Sequence, residues 1–206
     1  MKGAWLRMAA LLLVAMPGGC SRGPARVEAP DWDPEGLAET ILSQLDKNGD
    51  AKIDSAELTA APGLAAGVRL IDEDKDGQVT SAELTAQFTA YRDQRVGLAS
   101  TAFRLSYKGR PVPDAAVKFT PEPFLEGVVE PASATTDEDG FFYPHTEGQE
   151  HQGVRLGYYR VQVNSPKLKV PAKYAGADSP LGADVSPVED ASSYGTNSVR
   201  QLKLVD

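Results

Sequence analysis

The sequence predicts an α+β multidomain chain: a small α-helical pair followed by an antiparallel β-sandwich. Three observations predict it. Two acidic twelve-residue runs lie between 35 and 96, flanked by apolar residues at helical spacing. Near Leu98 the pattern switches to short β-rich runs separated by turn signals. The chain holds a single cysteine, so the fold must stand without an intrachain disulfide. At 206 residues it can form one sizeable domain or two small ones.

Residues 1–19 have the pattern of a targeting segment. Lys2 and Arg7 precede the apolar run Met8 to Met16, and Pro17-Gly18-Gly19-Cys20 follows. Nine apolar residues are too few for a helix to cross a hydrocarbon core of about 30 Å. Cys20 at the end of this run resembles the lipobox of bacterial lipoproteins, with Gly18 and Gly19 fitting and Pro17 standing where the family usually has an aliphatic residue. That resemblance implies a signal peptide removed before Cys20, a lipid on Cys20 and a membrane anchor at the cell envelope. Residues 20–34 mix Pro, Gly and charge without periodicity, as a flexible tether does.

Asp33-Pro34-Glu35 is a helix start, with Asp33 as N-cap and Pro34 in the first turn. Leu37, Ile41, Leu42 and Leu45 recur at helical spacing up to Asp46. Leu58 to Ala61 gives about one turn before Pro62-Gly63 interrupts it. Leu64, Val68 and Ile71 lead to Asp72, and Leu84, Phe88 and Tyr91 lead away from Glu83.

The two runs, 46–57 and 72–83, place oxygen-bearing side chains at positions 1, 3 and 5, an aliphatic residue at 8 and Glu at 12. A hard cation such as Ca2+ needs six to eight oxygens at about 2.3–2.6 Å, two of them from one bidentate carboxylate. The pattern resembles a paired EF-hand. In the second run that resemblance makes ligands of Asp72, Asp74, Asp76 and Glu83, with the Gln78 carbonyl and Thr80 through water. In the first, Asp46, Asn48, Asp50 and Glu57 take these roles, with the Lys52 carbonyl and Asp54. Ile53 and Val79 would pair between the loops. Position 6 is Gly77 in the second loop and Ala51 in the first. A left-handed backbone costs a residue with a Cβ about 1–2 kcal/mol. The first site is therefore expected to be roughly five- to thirtyfold weaker than with Gly, and the second site the stronger. Only 14 residues separate Glu57 from Asp72, which favours a rigid structural or buffering pair over a wide opening.

From about 97 to 206, six β-rich runs are expected: 101–107, 115–120, 132–136, 141–145, 158–164 and 199–205. Lys108-Gly109-Arg110-Pro111, Asp137-Glu138-Asp139-Gly140 and Asn164-Ser165-Pro166 mark turns. Segment 107–119 resembles the opening of carboxypeptidase-regulatory-like, transthyretin-like domains, with Asp114 where the family often has Gly. Segment 135–142 is similar to their "T-D-x-x-G-x-F" hairpin, and 157–163 to their "G-x-Y-x-V-x-V" strand. Segment 170–174 is similar to planctomycete secreted versions. The resemblance implies a prealbumin-like β-sandwich and no particular activity.

Charge excludes one class of partner. With 21 basic against 29 acidic residues, the chain repels nucleic acid. His145 and His151 are the only histidines and lie in no zinc-binding helix pattern. Ser192-Ser193-Tyr194 lacks a nucleophile turn. A third calcium loop at Asp137 fails because position 12 is Gly148. The expected function is a non-enzymatic, lipid-anchored, calcium-binding protein of the periplasmic or outer-membrane side, with an envelope protein or glycan as partner. The alternative is a secreted adhesion or carbohydrate-binding module whose loops dock a partner when calcium is present. For a glycan, Tyr158, Tyr159, Phe141 and Phe142 would supply the stacking face, although at alternating strand positions half of them are expected in the core. Dockerins share the short loop spacing, but this chain lacks their near-identical duplicated segments.

Overall fold

The computed structural model describes residues 27–187 and 199–206. The leader, Cys20 and Ser192-Ser193-Tyr194 lie outside the described residues. Helix α1 (Pro34–Leu45) starts as its sequence dictates: the Asp33 carboxylate accepts the Gly36 N–H at 3.1 Å, with Pro34 in the first turn. It buries Leu37, Ile41 and Leu45. Strand β1 (Lys52–Ile53) and a four-residue 3-10 turn at Glu57–Ala60 follow. Then come α2 (Pro62–Ile71), β2 (Val79–Thr80) and α3 (Ser81–Gln94). A capping box begins α3, since the Thr80 hydroxyl accepts the Glu83 N–H while the Glu83 carboxylate accepts the Thr80 N–H. Leu84, Phe88 and Tyr91 of α3 are fully buried.

Nine strands follow. They are β3 (Ala102–Tyr107), β4 (Arg110–Pro111), β5 (Ala116–Pro121), β6 (Ala132–Thr135), β7 (Phe141–Phe142), β8 (His145–Thr146), β9 (Gly157–Asn164), β10 (Gly182–Val185) and, beyond these, the final β11 (Val199–Leu204). One sheet has the order β10-β9-β5-β6-β8, all antiparallel. The other has the order β11-β3-β4, with β7 also on β3. The two sheets meet through aromatic rings, with Phe119 of one against Phe103 at 5.1 Å and Phe142 at 6.1 Å of the other.

The expected fold class is corrected here. Three short α-helices and eleven strands in three sheets make the described chain mostly β. It is not an α-helical EF-hand pair followed by an antiparallel prealbumin-like β-sandwich. Two local causes stand out. Pro62 starts α2 one residue after the 3-10 turn, so the first loop leaves through a single tight turn and its helix–loop–helix unit is incomplete. At the other end, β11 pairs parallel to β3, with Leu202 opposite Leu105.

The helices pack on the sheet as much as on one another. A Cβ at Gly63 would meet the Tyr159 amide nitrogen at 2.5 Å, so α2 begins in backbone contact with β9. Gly182 of β10 lies tighter still against the Pro62 carbonyl. Glu122 is fully buried at this junction and accepts the Gly63 N–H at 2.7 Å, while Arg160 beside it donates to the Ala60 carbonyl at 2.6 Å. Burial holds the Glu122 carboxyl above the usual carboxylate range, against the opposing pull of the Gly63 N–H and Arg160.

The segment before α1 lies on this core. Trp32 is buried, stacked on Phe88 at 5.7 Å and edge-on to Tyr91 at 5.3 Å. Farther back, the Arg155 guanidinium donates to the carbonyls of Glu28 and Gly97 and pairs with Glu130 at 2.9 Å.

Two turns carry the backbone conformations that their residues suggest. Lys108 (φ 51°) and Gly109 (φ 75°) are both left-handed between β3 and β4, as a two-residue hairpin turn requires. Asp114, where the resembled family often has Gly, also has a left-handed backbone (φ 52°), which Asp tolerates better than most residues. The Asp137–Gly140 turn differs from a hairpin. It carries the chain from β6 in one sheet to β7 in the other, with the Asp137 carboxylate accepting the N–H groups of Asp139 and Phe141.

Candidate metal centre

The second acidic loop hangs between α2 and β2. Lys75 (φ 61°) and Gly77 (φ 82°) both turn left-handed, and this winds the segment tightly enough to aim successive N–H groups inward. The Asp72 carboxylate accepts from Asp76 and Gly77 at 3.1 and 3.0 Å. Asp74 accepts from Asp76 at 3.1 Å, and Asp76 accepts from Gln78 at 2.8 Å. One ligand oxygen from each of Asp72, Asp74 and Asp76 then lies within 4.8 Å of the others. Among the described residues this is the one such group of three His, Cys, Asp or Glu side chains.

Glu83 is outside that triad. One of its oxygens accepts the Glu73 N–H at 2.9 Å, and the other accepts the Thr80 N–H and hydroxyl. It ties the start of the loop to its end. Thr80, expected to reach a cation through water, spends its hydroxyl on the helix cap.

The first loop repeats this plan. Gly49 (φ 77°) and Ala51 (φ 64°) are left-handed, and Asp46 accepts their N–H groups at 2.6 and 2.9 Å. Asn48 accepts from Asp50, and Asp50 accepts from Lys52 at 3.0 Å. Glu57 is buried and accepts the N–H groups of Lys47, Asn48 and Asp54. Asp54 accepts from Ala56 and Glu57 instead of facing the loop centre.

The loops are joined back to back. β1 and β2 pair antiparallel, with Ile53 opposite Val79 and Lys52 opposite Thr80. Ile53 and Val79 are both fully buried. The Lys52 ammonium crosses to Asp76 at 3.0 Å. This hydrogen bond, with the Gln78 N–H, holds the Asp76 carboxyl below the usual range, and Asp76 raises Lys52 in turn.

The donor set fits a hard cation. Every offered group is an oxygen: three aspartate carboxylates, the Gln78 carbonyl, and the Glu83 oxygen that accepts the Glu73 N–H and keeps a lone pair. Soft or tetrahedral metals favour sulfur and imidazole, which this loop does not offer.

The aromatic residues considered for a sugar face are mostly core. Tyr158, Tyr159 and Phe142 are buried. Phe141 is half-buried, with the Arg104 guanidinium over its ring at 5.1 Å. A buried polar cluster that the sequence does not announce sits behind α3. Asp184 receives Arg200 at 2.8 Å, Gln87 donates to Ser186 at 3.3 Å, and the Tyr91 and Tyr158 hydroxyls meet at 3.5 Å. Burial pushes the Asp184 carboxyl up, and Arg200 pulls against it. Arg200 is on β11 and Asp184 on β10, so the pair clasps the two sheets.

No helix among the described residues is long and apolar enough to cross a membrane. No protein-family model, curated protein or solved structure matches the chain.

Proposed function

We propose that this chain is a calcium-binding protein of the bacterial cell envelope, held by a lipid on Cys20, with a non-catalytic β-rich body that binds or braces an envelope partner. The observation that supports calcium is the convergence of Asp72, Asp74 and Asp76 within 4.8 Å. In the second loop the Gln78 carbonyl and Glu83 would complete the oxygen shell. In the first, Asp46, Asn48, Asp50, the Lys52 carbonyl and Glu57 would do so. The chemistry a bound ion supplies is charge neutralisation, because three carboxylates so close together repel one another without it.

Calcium would act on stability. The loops connect α1, α2 and α3, and α2 lies against β9 and β10. An ion that binds only the folded loops adds RT ln(1 + [L]/Kd) to folding. Extracellular calcium sites work with Kd of about 10⁻⁴–10⁻³ M, which is enough where calcium is plentiful.

The test is titration calorimetry of the mature chain with CaCl2 and, separately, MgCl2. The reading expects calcium binding at two sites with sub-millimolar to millimolar Kd, and loss of the second-loop site in Asp74→Ala. Absence of calcium heat would end it. Mass spectrometry of the mature N-terminus tests the anchor, with an acylated Cys20 expected and an unmodified or absent Cys20 counting against it.

A further inference from the structure

We infer that Lys52 is a built-in counter-cation of the second loop and lowers that loop's affinity for calcium. The inference rests on the calcium reading above and adds a determinant of affinity to it. Lys52 belongs to the first loop by its backbone, since its N–H binds Asp50 at 3.0 Å. Its side chain leaves that loop and places the ammonium 3.0 Å from Asp76 Oδ2, 24 residues away. The antiparallel bridge makes this reach short, because Lys52 sits opposite Thr80.

Two features make Lys52 a competitor of the ion instead of a support for its ligand. The Asp76 carboxylate is already oriented without it, by the Gln78 N–H on Oδ1 at 2.8 Å. The equivalent carboxylate of the first loop, Asp50, has the same backbone bond on Oδ1, but its Oδ2 meets only the neutral Asn48 amide at 3.2 Å. Direct contact between this ammonium and a loop carboxylate is therefore peculiar to the second loop. A divalent ion ligated by Asp76 would sit within a Debye length of the ammonium and would be repelled by it. The two loops then carry compensating differences: the second has three aspartates and a resident cation, the first two aspartates, Asn48 and none.

The test is a calcium titration of the full mature chain followed by amide NMR. The Gly77 N–H, bound to Asp72, reports the second loop, and the Gly49 N–H, bound to Asp46, reports the first. Lys52→Met keeps the aliphatic stem and removes the charge, and Lys52→Arg keeps the charge. At low salt, Lys52→Met is expected to tighten the Gly77 transition about two- to fivefold, as for an exposed ion pair. Lys52→Arg should match the wild type, and the gap should close near 1 M KCl. An unchanged or weaker Gly77 Kd in Lys52→Met overturns the inference while leaving the calcium reading intact. A wild-type Gly77 signal that ignores calcium overturns both.

Discussion

Ala51 and Lys75 carry the same left-handed strain at different places in their loops. Ala51 holds φ 64° at position 6 of the first, and Lys75 holds φ 61° at position 4 of the second. The glycines are placed in the opposite sense, Gly49 at position 4 of the first and Gly77 at position 6 of the second. Each loop thus has one strained residue and one relaxed one. The expected weakness of the first loop, so far as it rests on Ala51, is offset at Lys75. Ala51→Gly and Lys75→Gly should each stabilise the chain by about 1 kcal/mol, read as a shift in the urea midpoint at unchanged slope. Each should also tighten calcium at its own loop only.

Gly63 allows the start of α2 to touch β9. In Gly63→Ala the new methyl would press on the Tyr159 amide nitrogen and the Tyr158 carbonyl carbon, which are backbone and cannot rotate away. The expected loss is about 1–3 kcal/mol in urea denaturation. Gly49→Ala is the control for glycine replacement itself, since no atom lies within 4 Å of a Cβ there. It should cost only the left-handed strain.

Glu130 makes stability depend on pH. The Arg155 guanidinium holds its carboxyl below the ordinary value of 4.5. A carboxylate depressed on folding contributes stability that is present above its unfolded value and lost as pH falls through the folded one. Glu130→Gln should therefore melt about 1–3 °C below the wild type at pH 7. The two curves should converge as pH drops well below 4.5. A gap that persists at pH 3 would assign the effect to packing.

Trp32 offers a probe of the helical layer. The chain has two tryptophans, and Trp5 lies in the predicted leader, so the mature protein should emit from Trp32 alone. Buried against Phe88 and Tyr91, it should emit at short wavelength and shift red on unfolding. Trp32→Ala should cost about 3–5 kcal/mol in chemical denaturation.

Much of the fold was legible where one residue's environment is set by its neighbours in sequence. The expected strand at 158–164 is β9, and those at 101–107 and 199–205 are β3 and β11, because alternation of apolar and polar side chains registers burial directly. The Asp33 cap was legible for the same reason, whereas the Ile53–Val79 pairing was implied by the resemblance of the two loops. What failed to show is assembly. The packing of the helical layer on the sheet relies on Gly63, Gly67 and Gly182, whose missing side chains leave no hydrophobic signal. The parallel partnership of β11 with β3 depends on contacts nearly a hundred residues apart. Nor does alternation reveal that Tyr158 and Tyr159 are both buried, one toward Phe88 and Tyr91, the other toward Phe119. At the site, spacing gave the triad of carboxylates. The role of Glu83 as helix cap competes with its role as ligand, and only the hydrogen bonds display both.

The central claim is that calcium, held by the paired loops, stabilises the whole chain. Thermal unfolding of the mature protein in about 10 mM CaCl2 and in EDTA tests it most directly. With Kd near 10⁻⁴ M, a hundredfold excess adds about 2.7 kcal/mol per site, enough to raise Tm by about 5–10 °C. Coincident melting curves in calcium and EDTA would contradict the account.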